Sequence, residues 1–172
     1  MVSKGIVSYL VADHARLHTL LDRAMETPEF DPEAFADFRR GLLRHIAIEE
    51  KVLLPAVREV RGGTRLDRAH ELRIDHAALT SLLVPTPDLA LCREIWALLT
   101  EHDGKEEDAG GIYEECEHCL SDDDLVDLAE QAAAFPEVRV ARHFDGPNVQ
   151  RTAEDALASA RRIRGPRKSK HV

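Results

Sequence analysis

Apolar residues recur at helical spacing through most of the chain, and four segments carry the pattern clearly. Between Ile6 and Met25 the row is Leu10, Leu17, Leu21 and Ala24, closed by Thr27, Pro28 and then Asp31, Pro32. A second helix opens near Pro32 and Glu33 and carries Phe35, Phe38, Leu42, Ile46, Val52, Leu53 and Ala56 until Gly62 and Gly63 stop it; Pro55 should loosen its last turn. A third runs from about Arg65 to Leu83 on Leu72, Leu79 and Leu83, ending before Pro85 and Pro87. A fourth takes Asp88 as N-cap and carries Leu91, Ile95, Leu98 and Leu99 toward Gly110 and Gly111. Four helices of similar length on short connections predict an all-α, up-down-up-down four-helix bundle.

The rest of the chain predicts two additional C-terminal helices. Ser121 is an N-cap followed by Asp122, Asp123 and Asp124, for a helix reaching about Phe135 before Pro136. The turn residues Asp145, Gly146, Pro147 and Asn148 lead to a last amphipathic helix with Ala153, Ala156, Leu157, Ala160 and Ile163. Neither helix buries enough by itself to stand as a domain. The expected organisation is therefore residues 1–120 as the bundle and 121–172 as a helical appendage ending in a basic tail.

Each apolar row is broken by a polar residue at a core position. The rows read Leu10, His14, Leu17, Leu21; Phe38, Leu42, His45, Glu49, Val52; Leu72, His76, Leu79, Leu83; and Ile95, Leu99, His102, Glu106. A single histidine of this kind is ordinarily a hydrogen-bonded core residue. Four in register, two followed by a glutamate one turn on, are different: a buried carboxylate without a compensating partner is costly, and metal ions satisfy such a donor set. His14, His45, Glu49, His76, His102 and Glu106 are thus the expected metal ligands.

Composition narrows the function classes. Of 172 residues 44% are hydrophobic and only 5% aromatic, which favours helices over a large β-core, and a net charge of −9 argues against nucleic-acid binding. The basic cluster Arg161, Arg162, Arg164, Arg167, Lys168 and Lys170 reads as a solvated end. No apolar run is long enough to span a bilayer, and three cysteines without a signal-peptide pattern point to a reducing, cytoplasmic setting.

The stretches Asp13-His14, His45 to Glu49-Glu50 followed by Leu53-Leu54-Pro55, Asp75-His76, and His102 to Glu106-Glu107 resemble the successive motifs of the hemerythrin-like, or HHE cation-binding, family over about residues 6–115. The resemblance implies two non-haem iron ions bridged by carboxylates and an oxo or hydroxo group. By that analogy Glu49 and Glu106 are the bridges, and His14, His45, His76 and His102 the terminal ligands. It also implies an open position for O2, NO or peroxide. Two departures stand out: Leu72 and Thr80 occupy the positions where oxygen carriers place a further third-helix histidine, and the last carboxylate falls at i+4 rather than i+5, where Glu107 stands. Both weigh more against reversible O2 carriage than against metal binding.

His18, Glu107 and Tyr113 are further candidates for ligation or for outer contacts to the ligands. Glu50 reads as a solvated or outer residue, and His70 as facing away. His118, His143 and His171 have no supporting partner in the pattern. Cys116 and Cys119 have metal-ligand spacing but no second pair, and Cys92 reads as a core residue. Three function classes remain: capture of a diatomic ligand or peroxide for sensing, storage or protection; an enzyme turning over peroxide or NO, or delivering iron to damaged iron–sulfur clusters; and a metal-buffering module whose C-terminal helices meet a protein partner.

Overall fold

A computed structural model describes residues 5–26 and 29–165. Thr27, Pro28, Arg167, Lys168, Lys170 and His171 lie outside the described residues. The fold is all-α, with no strand among those residues: α1 Ile6–Met25, α2 Pro32–Ile48, a π-turn Glu49–Leu53, α3 Leu54–Val60, α4 Ala69–Leu82, α5 Leu89–Glu107, α6 Ile112–Cys119, α7 Asp122–Ala133 and α8 Ala153–Arg164.

Local chemistry explains most of the boundaries. The Asp31 carboxylate accepts from the backbone N–H groups of Glu33 and Ala34, Asp88 accepts from Leu91, and Ser121 and Asp124 form a reciprocal capping box. Pro55 has no N–H to give and its ring crowds the carbonyl of Lys51; the helix accommodates it by widening, so that Leu54 donates to the carbonyl of Glu49. The second predicted helix is accordingly α2, the π-turn and α3 in one run. It ends at Gly62 and Gly63, with φ of 62° and 90°.

Two differences from the sequence pattern are informative. The third helix starts at Ala69, not Arg65, because the chain first turns at buried Leu66, whose carbonyl accepts from the Ala69 amide. The segment after Gly110 and Gly111 forms α6, a helix the periodicity left unassigned because it is only eight residues long; it buries Ile112, Tyr113 and Cys116.

α1 packs on α2, α5 and α7, α4 packs on α5 and α8, and α6 packs on α5 and α3. The apolar core is divided in two. One cluster holds Leu17, Leu21, Phe35, Phe38, Leu42, Leu79, Leu82 and Ile95 with Ala156 and Ala160 of α8. The other holds Ile6, Leu10, Ile48, Val52, Leu53, Leu72 and Ile112 with Leu125, Leu128 and Ala132 of α7. Between them, in sequence and in space, falls a buried layer of histidines and carboxylates. Among the described residues no helix is long and apolar enough to cross a membrane.

Candidate metal centre

The six residues singled out by the broken rows are all buried, and Glu49 and Glu106 are 0% exposed. Their ligand atoms form two groups, His14, His45, Glu49, Glu106 and Glu49, His76, His102, Glu106, in each of which the atoms lie within 4.8 Å of one another. Both carboxylates belong to both groups. Glu49 turns Oε1 toward His45 Nε2 at 3.6 Å and Oε2 toward His76 Nε2 at 3.0 Å. Glu106 turns Oε2 toward His14 Nε2 at 3.2 Å and Oε1 toward His102 Nε2 at 3.4 Å. All four imidazoles therefore present Nε2 inward, and the Nε2 atoms of His14 and His45 are 2.9 Å apart.

The outer ring nitrogens meet a second set of carboxylates. Nδ1 of His45 is 3.0 Å from Asp13, and Nδ1 of His76 is 3.0 Å from Glu50. Nδ1 of His14 is hydrogen-bonded to Glu107. Nδ1 of His102 is 3.5 Å from Asp75, without hydrogen-bond alignment, while Lys105 binds the same Asp75 oxygen at 2.8 Å. Each outer carboxylate is the sequence neighbour of one ligand but serves a different one. Such partners fix the orientation and tautomer of a ligating imidazole.

Proximity without alignment is the mark of this layer. Seven buried side-chain nitrogens and oxygens lack a hydrogen-bond partner among the described residues, and six of them are Glu49 Oε2, both Glu106 oxygens, His76 Nε2, His102 Nδ1 and Asp103 Oδ1. Nitrogens and oxygens 3 Å apart that do not point at each other are arranged for something between them. A buried polar atom left bare is expensive, and metal ions would satisfy the inward-facing ones, the Glu49 and Glu106 oxygens and His76 Nε2; the residues present fit such a group.

The charges of this layer show the same demand. Burial and the negative charge of Glu49 push the Glu106 carboxyl well above the usual carboxylate range. Burial also acts upward on Glu49, but His45 and His76 outweigh it and hold Glu49 well below that range. Two carboxylates facing one space thus do not ionise together easily without added positive charge. His45 is raised from 6.5 to about 9, Glu49 and Asp13 overcoming the opposing effect of burial.

Tyr113 enters from α6. Its buried hydroxyl donates to Glu49 Oε1 at 2.5 Å and lies 3.4 Å from His14 Nε2. Burial, with the charges of Glu49 and Glu106, holds the phenol protonated. Gly111 sets this entry: a Cβ there would come within 2.4 Å of the Glu106 carbonyl oxygen and 2.6 Å of that of Asp108. His18 does not join the six. Its Nε2 binds Asp103 Oδ2 at 2.7 Å, and its ring stands edge-on to Trp96.

The remaining candidates lie elsewhere. His70 reaches the Gly165 carbonyl, His143 lies against Phe35, and His118 is exposed. Cys92, Cys116 and Cys119 are free thiols and belong to neither ligand group. Burial pushes the Cys116 thiol up, away from reactive thiolate. The pattern of core positions missed Asp13, Asp75 and Asp103. A signal for the first two was present, since each of them directly precedes a row histidine.

Comparison of the chain with family models, curated proteins and solved structures finds no match.

Proposed function

We propose that this chain is a hemerythrin-like di-iron protein, with α1, the α2-to-α3 run, α4 and α5 as the rods of an up-down-up-down bundle and the centre as a site for O2, NO or peroxide in sensing, storage or protection. The observation that carries this reading is the pair of buried ligand groups sharing Glu49 and Glu106. His14 and His45 would hold one ion and His76 and His102 the other. Mixed imidazole and carboxylate donors suit iron. A non-haem iron pair supplies electrons and open coordination to a small oxidising ligand.

The chain's own residues prepare the site. Asp13, Glu50 and Glu107 engage Nδ1 of His45, His76 and His14, which leaves an Nε2 lone pair on each for the metal. Tyr113 holds Glu49 by its hydroxyl. Leu10, Leu17, Leu72, Leu79 and Leu99, one turn from the histidines on their own helices, keep bulk water from the centre.

Metal analysis tests the reading directly. Protein loaded anaerobically with ferrous iron should hold two ions per chain. On admission of air, a charge-transfer band that is stable and reversed by evacuation supports capture. Rapid irreversible oxidation with peroxide consumption replaces it with an enzymatic role, and failure to hold two ions sinks the metal reading.

A further inference from the structure

Asp103 is the carboxylate that the two ligand groups leave over. It follows His102 on α5 and is 7% exposed. One oxygen, Oδ2, is held by His18 at 2.7 Å. The other, Oδ1, is buried without a hydrogen-bond partner and lies 3.7 Å from Nε2 of His14, the nitrogen that faces the centre. A bare carboxylate oxygen in the interior is costly, so its placement requires a positive partner in the space before His14.

His18 fixes that placement. Its ring binds Asp103 and stands at a T-shaped angle to Trp96, with centroids 5.9 Å apart, on the helix that also carries His14. Held at Oδ2, the carboxylate keeps Oδ1 turned toward His14. Among the described residues the other half of the centre has no counterpart. Around His76 and His102, the bare buried oxygens among the described residues belong to Glu49 and Glu106 themselves. Glu50 and Asp75 sit on the outer nitrogens instead.

We propose that Asp103, steered by His18, is an additional ligand at the His14/His45 position, and that the two ion positions are chemically unequal. His14, His45, Glu49, Glu106 and Asp103 make one donor-rich position, beside the Tyr113 hydroxyl. Glu49, Glu106, His76 and His102 make a donor-poor one. The first position would leave less open coordination to an ion held there than the second would. The inference rests on the metal reading above. His18 acts through Asp103 and is a positioning residue.

Cobalt(II) titration separates the two ideas, because its visible bands report each ion's ligands and a competing chelator reports affinity. The wild-type chain should take two ions of different affinity. Asp103→Asn should weaken the tighter ion at least tenfold and change its bands, leaving the other ion as it was. His18→Gln, which keeps the carboxylate, should weaken the same ion to a lesser degree, and Asp103→Glu should restore part of the loss. Circular dichroism identifies an unfolded variant; should Asp103→Asn unfold, His18→Gln carries the test. Equal weakening of both ions, or of neither, overturns the proposal while leaving the metal reading intact. A wild-type chain that takes fewer than two ions removes the metal reading, and this proposal with it.

Discussion

Asp13 directly precedes His14 in the chain, yet its carboxylate lies 3.0 Å from Nδ1 of His45, on the next helix. The displacement repeats around the layer. Glu50 follows Glu49 and serves His76, Asp75 precedes His76 and faces His102, and Glu107 follows Glu106 and binds His14. A residue beside a ligand in sequence is rotated about 100° from the core row, so on its own helix it faces the neighbouring rod. Three such residues, Asp13, Glu50 and Glu107, hydrogen-bond to a buried histidine on another segment, and Asp75 approaches His102 in the same sense.

Asp13→Asn tests one link. An amide oxygen can still accept the Nδ1 hydrogen of His45 but carries no charge, so the imidazole loses basicity and is held less firmly. Changes of this kind cost on the order of 10–100-fold in metal affinity. Chelator competition should show that loss, with helicity unchanged. Wild-type affinity would deny Asp13 a role in the centre.

Gly111→Ala tests the entry of α6. The added methyl would lie 2.4 Å from the Glu106 carbonyl oxygen, a backbone atom that cannot rotate aside. The turn must shift, and with it Tyr113. A loss of about 1–3 kcal/mol is expected, which for a chain of this size is a fall of roughly 2–12 °C in Tm. An unchanged Tm would mean that the turn rearranges freely.

The inward layer could be read from sequence because polarity and periodicity disagreed there: His14 between Leu10 and Leu17, or His76 between Leu72 and Leu79, cannot be placed on an apolar stripe without a reason. The outer carboxylates gave no such contradiction. Glu50 and Glu107 look like an ordinary solvated helix face, and Asp103 looks like a boundary residue until the rotation of α5 against α1 is known. α6 was hidden by its length and by the glycines before it, so the partner of Tyr113 was hidden too. Pro55 announced a disturbance, but its form, a π-turn beginning at Glu49 itself, depends on how the run of helix on either side is held by packing.

The stability of the metal-free protein and its affinity for metal should respond to pH in opposite senses. In the metal-free fold His45 is raised from 6.5 to about 9, and His76 is raised as well, Glu49 and Glu50 outweighing its burial. Groups whose folded value lies above the unfolded one stabilise the fold fully below the unfolded value and lose that contribution as pH rises. Glu106, raised well above 4.5, acts in the same direction. Tm of the metal-free protein should therefore fall between pH 6.5 and 9. Metal binding requires neutral imidazoles and ionised carboxylates, so affinity for cobalt(II) should rise over that interval. Parallel trends would contradict the placement of His45 in the site.

Tyr113→Phe separates a hydroxyl that supports Glu49 from one that merely fills space. Phenylalanine keeps the buried ring and its packing with Ile112 and Cys116, and removes only the O–H donated to Glu49 Oε1. In the metal-free protein Glu49 is held ionised in the interior, so loss of a donor to it should cost about 1–3 kcal/mol. With metal bound, positive charge compensates the same carboxylate and the cost should shrink. Melting curves of wild type and variant, each with and without cobalt(II), give the difference. A penalty of equal size in both states would place the hydroxyl's contribution in packing and take Tyr113 out of the centre's electrostatics.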